Sequence, residues 1–137
     1  MLFRAALFFG SIIAALGSIT ATNCDTKSLF HVDSVTITPN GVNSTLNITY
    51  DVPAEVSDGL VKYSCTLNGI PVISESKPLC QDMKCPIVSG HHEDISSSVT
   101  PTVPGTLACT VKWQSVTSES LLCVKLINVL SDCVRDE

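Results

Sequence analysis

The side chains in this chain with the reactivity to do chemistry are seven cysteines, three histidines and a short acidic cluster. Cys24, Cys65, Cys80, Cys85, Cys109, Cys123 and Cys133 are spread along the sequence, and only Cys80 and Cys85 lie close together. A structural zinc site draws paired Cys/His ligands from two clusters, which this spacing does not offer. The cysteines read instead as a disulfide framework with one thiol left over. Of the histidines, His31 stands alone, and His91-His92-Glu93-Asp94 is the one segment with metal-ligand chemistry. Neighbouring residues of a strand point to opposite faces, so His91 and His92 would not share an ion. The segment reads as a solvated charged turn, and no metal is expected. No Gly-x-Ser-x-Gly elbow, phosphate loop or His-Glu-x-x-His pattern occurs, and cysteines tied up by oxidation make poor nucleophiles. The chain is not expected to be an enzyme or to need a cofactor.

The oxidising compartment follows from the N-terminus. Met1-Leu2-Phe3-Arg4 is a short positive start, Ala5 to Ile19 is apolar apart from Gly and Ser, and small polar residues follow to Asn23. This is the layout of a secretory signal peptide over residues 1–22, removed to leave one domain over 23–137. No later run approaches the roughly 18 apolar residues a membrane span needs. About 115 residues remain, enough for one ordinary domain with one core. The formal charge is −5, and loss of Arg4 with the leader makes the mature chain more acidic still. Without a basic cluster, nucleic acid is excluded as a partner and contact with membranes is at most transient. Two sequons, at Asn43 and Asn47, fit secretion.

The elements that must position these groups read as strands. Leu29 to Thr38 and Ser44 to Val52 alternate and are rich in β-branched residues, divided by Pro39-Asn40-Gly41. In the second, Asn43, Thr45, Asn47 and Thr49 take one face and Leu46, Ile48 and Tyr50 the other. Leu60 to Leu67 sets Val61, Tyr63, Cys65 and Leu67 together, and Asn68-Gly69 is a strong hairpin signal into Ile70 to Ile73. His91 to Val99 is a weaker strand. Leu107 to Val116 puts Leu107, Cys109, Val111 and Trp113 on one side. Leu121 to Leu130 is almost all apolar, and its Val/Ile content favours a strand covered on both faces over a helix. About seven short strands with frequent turns predict an all-β fold, an antiparallel sandwich of two sheets stapled by disulfides.

Several short pieces, in order, carry a resemblance: Gly69-Ile70-Pro71-Val72, Cys80-Gln81-Asp82-Met83-Lys84-Cys85-Pro86, Lys112-Trp113-Gln114 and Leu121-Leu122-Cys123. With them the chain resembles the ML-domain lipid-recognition family, which includes lysosomal sterol carriers and the group 2 mite allergens. The resemblance runs from Cys24 to the strand of Cys123 and implies an immunoglobulin-like β-sandwich whose sheets splay around a lipid. It implies the bridges Cys24–Cys123 and Cys80–Cys85. The first closes a loop of roughly 100 residues, worth about 4–5 kcal/mol in the chain-entropy model, and the second a small ring worth about 2 kcal/mol. Thr38-Pro39-Asn40 stands where the family's third bridge would begin. Cys65 and Cys109 are extra, on strands expected to be neighbours and each among apolar residues, and are predicted to bond across the sheet. Cys133 is then the odd thiol.

The inward faces of these strands supply Leu46, Ile48, Tyr50, Val61, Tyr63, Leu107, Val111, Trp113, Val124 and Leu126. By pattern alone they would fill an ordinary core; the resemblance makes them the lining of a lipid pocket. It likewise makes Ile70, Val72, Val99 and Val103 the pocket entrance, and leaves Tyr50, Tyr63 or Trp113 to steer a polar end. The expected function is a secreted or endolysosomal lipid-binding and transfer protein, a monomer that holds a sterol, phospholipid or fatty acid and touches a membrane or receptor transiently. The alternative is a secreted recognition or co-receptor module, or an allergen-like protein, that binds without transfer.

Overall fold

Strict alternation decides the inside of this protein. In the computed structural model, which describes residues 18–40, 43–99 and 104–130, the strand Asn43–Val52 buries Ser44, Leu46, Ile48, Tyr50 and Val52 and turns the residues between them towards solvent. The chain order is β1 (Ser18–Asn23), β2 (His31–Asn40), β3 (Asn43–Val52), β4 (Gly59–Leu67), β5 (Ile70–Pro78), a one-turn helix α1 (Leu79–Asp82), β6 (Gly90–Val99), β7 (Gly105–Ser115) and β8 (Ser120–Leu130). Two antiparallel sheets result, one ordered β1-β8-β7-β4-β5 and the other β2-β3-β6. This is the expected sandwich, and the core lies between its sheets.

Hairpin chemistry sets the larger sheet. Asn68 and Gly69 both have positive φ, 52° and 85°, so the two-residue turn matches the twist of β4 and β5. Register then places Val61 beside Trp113, Tyr63 beside Val111, and Cys65 beside Cys109. On the far side of β7, Trp113 meets Leu122 and Val111 meets Val124. Tyr63, Val111 and Val124 therefore form one inward row, with Val61, Trp113 and Leu122 in the next. β8 is covered on both faces as its composition predicts, with Leu121, Leu122, Cys123 and Val124 all buried. Phe30 and Leu29 bond through their backbone N–H groups to Leu121 and Ser120, closing the outer side.

Three disulfides tie the framework: Cys24–Cys123, Cys65–Cys109 and Cys80–Cys85. The first holds the end of β1 to β8, and the second bridges two residues directly opposite in the β4–β7 ladder. Cys133 lies outside the described residues, as do Val103 and the apolar segment up to residue 17.

Two expectations change. There are eight strands rather than about seven, because Ser18–Asn23, around the boundary expected for the leader, pairs with β8 from Ser18↔Val129 to Asn23↔Val124. The His91–Asp94 segment is not a solvated turn but the start of the strand expected over His91–Val99. It opens β6, hydrogen-bonded along β3, so its charges alternate between the two faces of a strand.

Candidate functional site

Between the sheets lies a cleft of about 310 Å³. Its apolar walls are Leu46 and Ile48 of β3, Val111 and Trp113 of β7, and Leu122 and Val124 of β8. Tyr63, Asp82, Met83, Asp94, Ile95 and Ser96 complete the lining, with Ile95 largely exposed. The cleft stops where β3 changes from aliphatic to aromatic. Tyr50, the next inward residue after Ile48, is fully buried. Its ring stacks on Phe30 at 5.6 Å and meets the edge of Trp113 at 5.6 Å. His92, inward on β6, stacks on the other side of Tyr50 at 5.5 Å. Val52, Val61, Leu79 and Ile87 close the same end, each 3% exposed or less.

The charged lining residues, Asp82 and Asp94, are each paired with a tyrosine. Tyr50 donates its hydroxyl to Asp94 Oδ2 at 3.0 Å, and burial pushes the phenol well above its ordinary pKa, with Asp94 adding to the shift. Tyr63 donates to Asp82 Oδ2 at 2.6 Å, and burial followed by this bond pushes it up to about 12. Asp82 also holds Lys77 Nζ at 3.0 Å, and Lys77 lies over the Tyr63 ring at 5.2 Å. Burial pushes the Asp82 carboxyl upward, but the bonds from Tyr63 and Lys77 outweigh it and hold the group below its ordinary value.

The small helix explains how Asp82 and Met83 reach the cleft. Leu79 is fully buried and anchors the turn, Met83 N–H bonds to Leu79 O at 3.2 Å, and the Cys80–Cys85 bridge closes the loop behind it. A four-residue helix would not hold alone, and tertiary anchoring supplies what its length cannot.

The structure distributes the expected lining residues unevenly. Leu46, Ile48, Tyr63, Val111, Trp113 and Val124 line the cleft. Tyr50 and Val61 belong to the packed end. Leu126 is half-buried against the core, and Leu107, opposite Leu67, lies further along the same inward face. Ile70 and Val72, proposed at the entrance, are exposed on the edge strand β5 and do not touch the cleft. Val99 ends β6, but its side chain is outside the described set, as is Val103. Sequence reading missed Asp82, Met83, Asp94, Ile95, Ser96 and Leu122. Leu122 had a signal, since it shares a strand face with Val124 and Leu126. Asp94 had none, because only long-range pairing of β3 with β6 sets it beside Tyr50.

The outer face of the smaller sheet is a different environment. Register aligns His31, Asp51 and His91 across its three strands, and an irregularity between Val32 and Ser34 brings Asp33 to the same side. His91 Nδ1 lies 3.0 Å from Asp51 and 3.5 Å from Asp33. These three could together ligate a cation, and all lie towards solvent on the side away from the cleft. Asn47 shares that face and donates to Glu93 Oε2 at 2.9 Å.

Comparison with known proteins agrees with this architecture. The model of the ML domain matches residues 18–129. No curated protein sequence matches the chain. Among solved structures, chicken MD-1 complexed with lipid IVa is similar, with 16% identity over 82% of this chain and 88% of that one and a TM-score of 0.56. A Niemann–Pick type C2 protein from the Japanese carpenter ant is similar at 17% identity over 79% and 96%, with a TM-score of 0.55. At these identities the likeness is one of fold.

Proposed function

The chain belongs to the ML-domain family, and from that premise we propose that it is a non-enzymatic lipid-binding protein that takes one lipid reversibly into the cleft between its sheets. The observation that carries the reading is the unfilled row of aliphatic side chains, Leu46, Ile48, Val111, Leu122 and Val124, with Trp113 at its inner end. Such a row is a costly surface to leave wet. Burying apolar ligand against it gains about 25 cal/mol per Å², without any covalent step. A volume of about 310 Å³ is at the small end for ligand sites, which favours a single small lipid over a whole phospholipid.

The cellular part of the proposal is passage through a secretory or endolysosomal lumen, supported by three disulfides. The ladder between β1 and β8 supports leader removal ahead of Ser18 rather than at Asn23. Glycans at Asn43 and Asn47 would project from the outer side of β3 and leave the cleft clear. Transfer would involve brief contact with a membrane or receptor by a monomer.

The test is lipid mass spectrometry on protein purified from a secreting eukaryotic host, with displacement of a fluorescent sterol measured beside it. Sterol at near-equal stoichiometry would establish a sterol carrier, and fatty acid or phospholipid would shift the function to another lipid class. A protein that carries nothing and binds no probe would overturn the reading and leave a recognition module.

A further inference from the structure

The polar groups at the cleft carry a preference for the end of the ligand. Asp82 and Asp94 are its charged lining residues, and no lysine, arginine or histidine lines it among the described residues. Their circumstances differ. Asp82 is neutralised by Lys77 at 3.0 Å and accepts from Tyr63 as well. Asp94 accepts from the Tyr50 hydroxyl at 3.0 Å and has no ion pair among the described residues. An ionised carboxylate offers about four acceptor positions, so one phenol leaves capacity unused. Tyr50 is itself stacked on Phe30 and His92, which holds its hydroxyl, and with it Asp94, in place.

An inward-pointing carboxylate on an edge strand has a purely structural use, because it discourages pairing with another chain. β6 is an edge of its sheet, so Asp94 serves that purpose wherever the ligand sits. Its position in the lining adds a chemical consequence. A ligand whose tail lies along Ile48, Val111 and Val124 has its polar end within the field of an uncompensated negative charge, next to apolar walls that weaken solvent screening. A hydroxyl can donate to that carboxylate; a carboxylate or phosphate end is repelled by it.

We infer that Asp94 is the head-group acceptor of this cleft and selects lipids whose polar end donates a hydrogen bond and carries no negative charge, a sterol or long-chain alcohol rather than a fatty-acid anion. This rests on the proposed lipid-binding function and narrows its substrate class. Asp82 takes little part, since Lys77 already balances it.

Displacement of a bound fluorescent sterol from the intact secreted protein at neutral pH tests the assignment, with dodecanol, dodecylamine and dodecanoate as competitors of equal chain length. Dodecanol and dodecylamine should displace the probe at least about tenfold more effectively than dodecanoate. Asp94→Asn keeps an acceptor for Tyr50 and removes the charge, and it should bring dodecanoate to within about threefold of dodecanol. Glu55→Gln, exposed and outside the cleft lining, should leave the gap as it was. Equal competition by the three in the native protein overturns the inference, whatever the variants do. So does a gap that survives Asp94→Asn in protein with native circular dichroism, and Asp94→Ser repeats the comparison if the amide disturbs folding. Failure to bind the sterol or any competitor overturns lipid binding itself, an outcome separate from the loss of head-group preference.

Discussion

The space between the two sheets has a packed half and an open half, and the same strand, β3, contributes to both. Tyr50 and Val52 lie in the packed half, where Phe30, Val61, Leu79 and Ile87 leave them no more than 3% exposed. Leu46 and Ile48 lie in the open half, where aliphatic side chains from β7 and β8 face them across a cleft. Alternation, strand geometry and register are continuous from one half to the other. What changes is side-chain size and stacking. The mutually packed rings of Phe30, Tyr50 and Trp113 fill the gap at one end, and among the described residues no such cluster of rings fills the other. A sandwich can therefore concentrate stability at one end and keep vacant volume at the other without any break in its hydrogen-bond ladders.

The comparison breaks first if the packed half is not tightly packed. Phe30→Ala should cost about 3–5 kcal/mol in urea unfolding, because the ring touches both Tyr50 and Trp113 and its loss leaves a cavity. A cost below about 1 kcal/mol would mean that this end collapses as readily as an open one.

The open half makes the converse prediction. Ile48→Phe should fill the cleft, reduce uptake of a fluorescent sterol by at least about tenfold, and change stability by no more than about 1 kcal/mol. Destabilisation of about 1–3 kcal/mol would mark the site as already full. Retained sterol binding in a stable variant would move the ligand elsewhere.

A smaller effect separates the phenols at the two ends. Both tyrosines are shifted upward, so an alkaline titration followed by phenolate absorbance should show neither ionising near the ordinary value of 10. Tyr63 should lose its proton at about 12, ahead of the more deeply buried Tyr50. A group whose pKa is higher folded than unfolded contributes stability that is fully present below the unfolded value and is lost as pH rises to the folded one. For Tyr63 that loss runs from 10 to about 12, and Tyr63→Phe should flatten it. A tyrosine titrating near 10 in folded protein would contradict the burial of its phenol and its bond to aspartate.

Much of the architecture was legible because strand patterns are local. The period of two along Asn43–Val52 identified the buried face without reference to a partner, and Asn68-Gly69 specified its turn because both residues tolerate positive φ. The pairing of Cys65 with Cys109 was within reach for the same reason, since both sat on apolar faces of strands expected to be adjacent. The strand over Ser18–Asn23 was not legible, because small polar residues after an apolar run suit a cleavage region and an edge strand equally well. At His91–Asp94 the weak strand expected over His91–Val99 prevails over the charged turn, because β6 is stabilised by its ladder to β3 against the preference of its own residues.

The sequence by itself determined an all-β sandwich, the inward faces of its strands and a cysteine set suited to disulfides, because periodicity, turn chemistry and cysteine content are written residue by residue. Only the tertiary structure decided which inward residues fill the core and which line a cleft. It also set Asp94 beside Tyr50, and Asp82 between Tyr63 and Lys77. Vacant volume and a shared hydrogen bond belong to pairs of distant residues, here 44 and 19 positions apart, and no local pattern records how their strands are brought together.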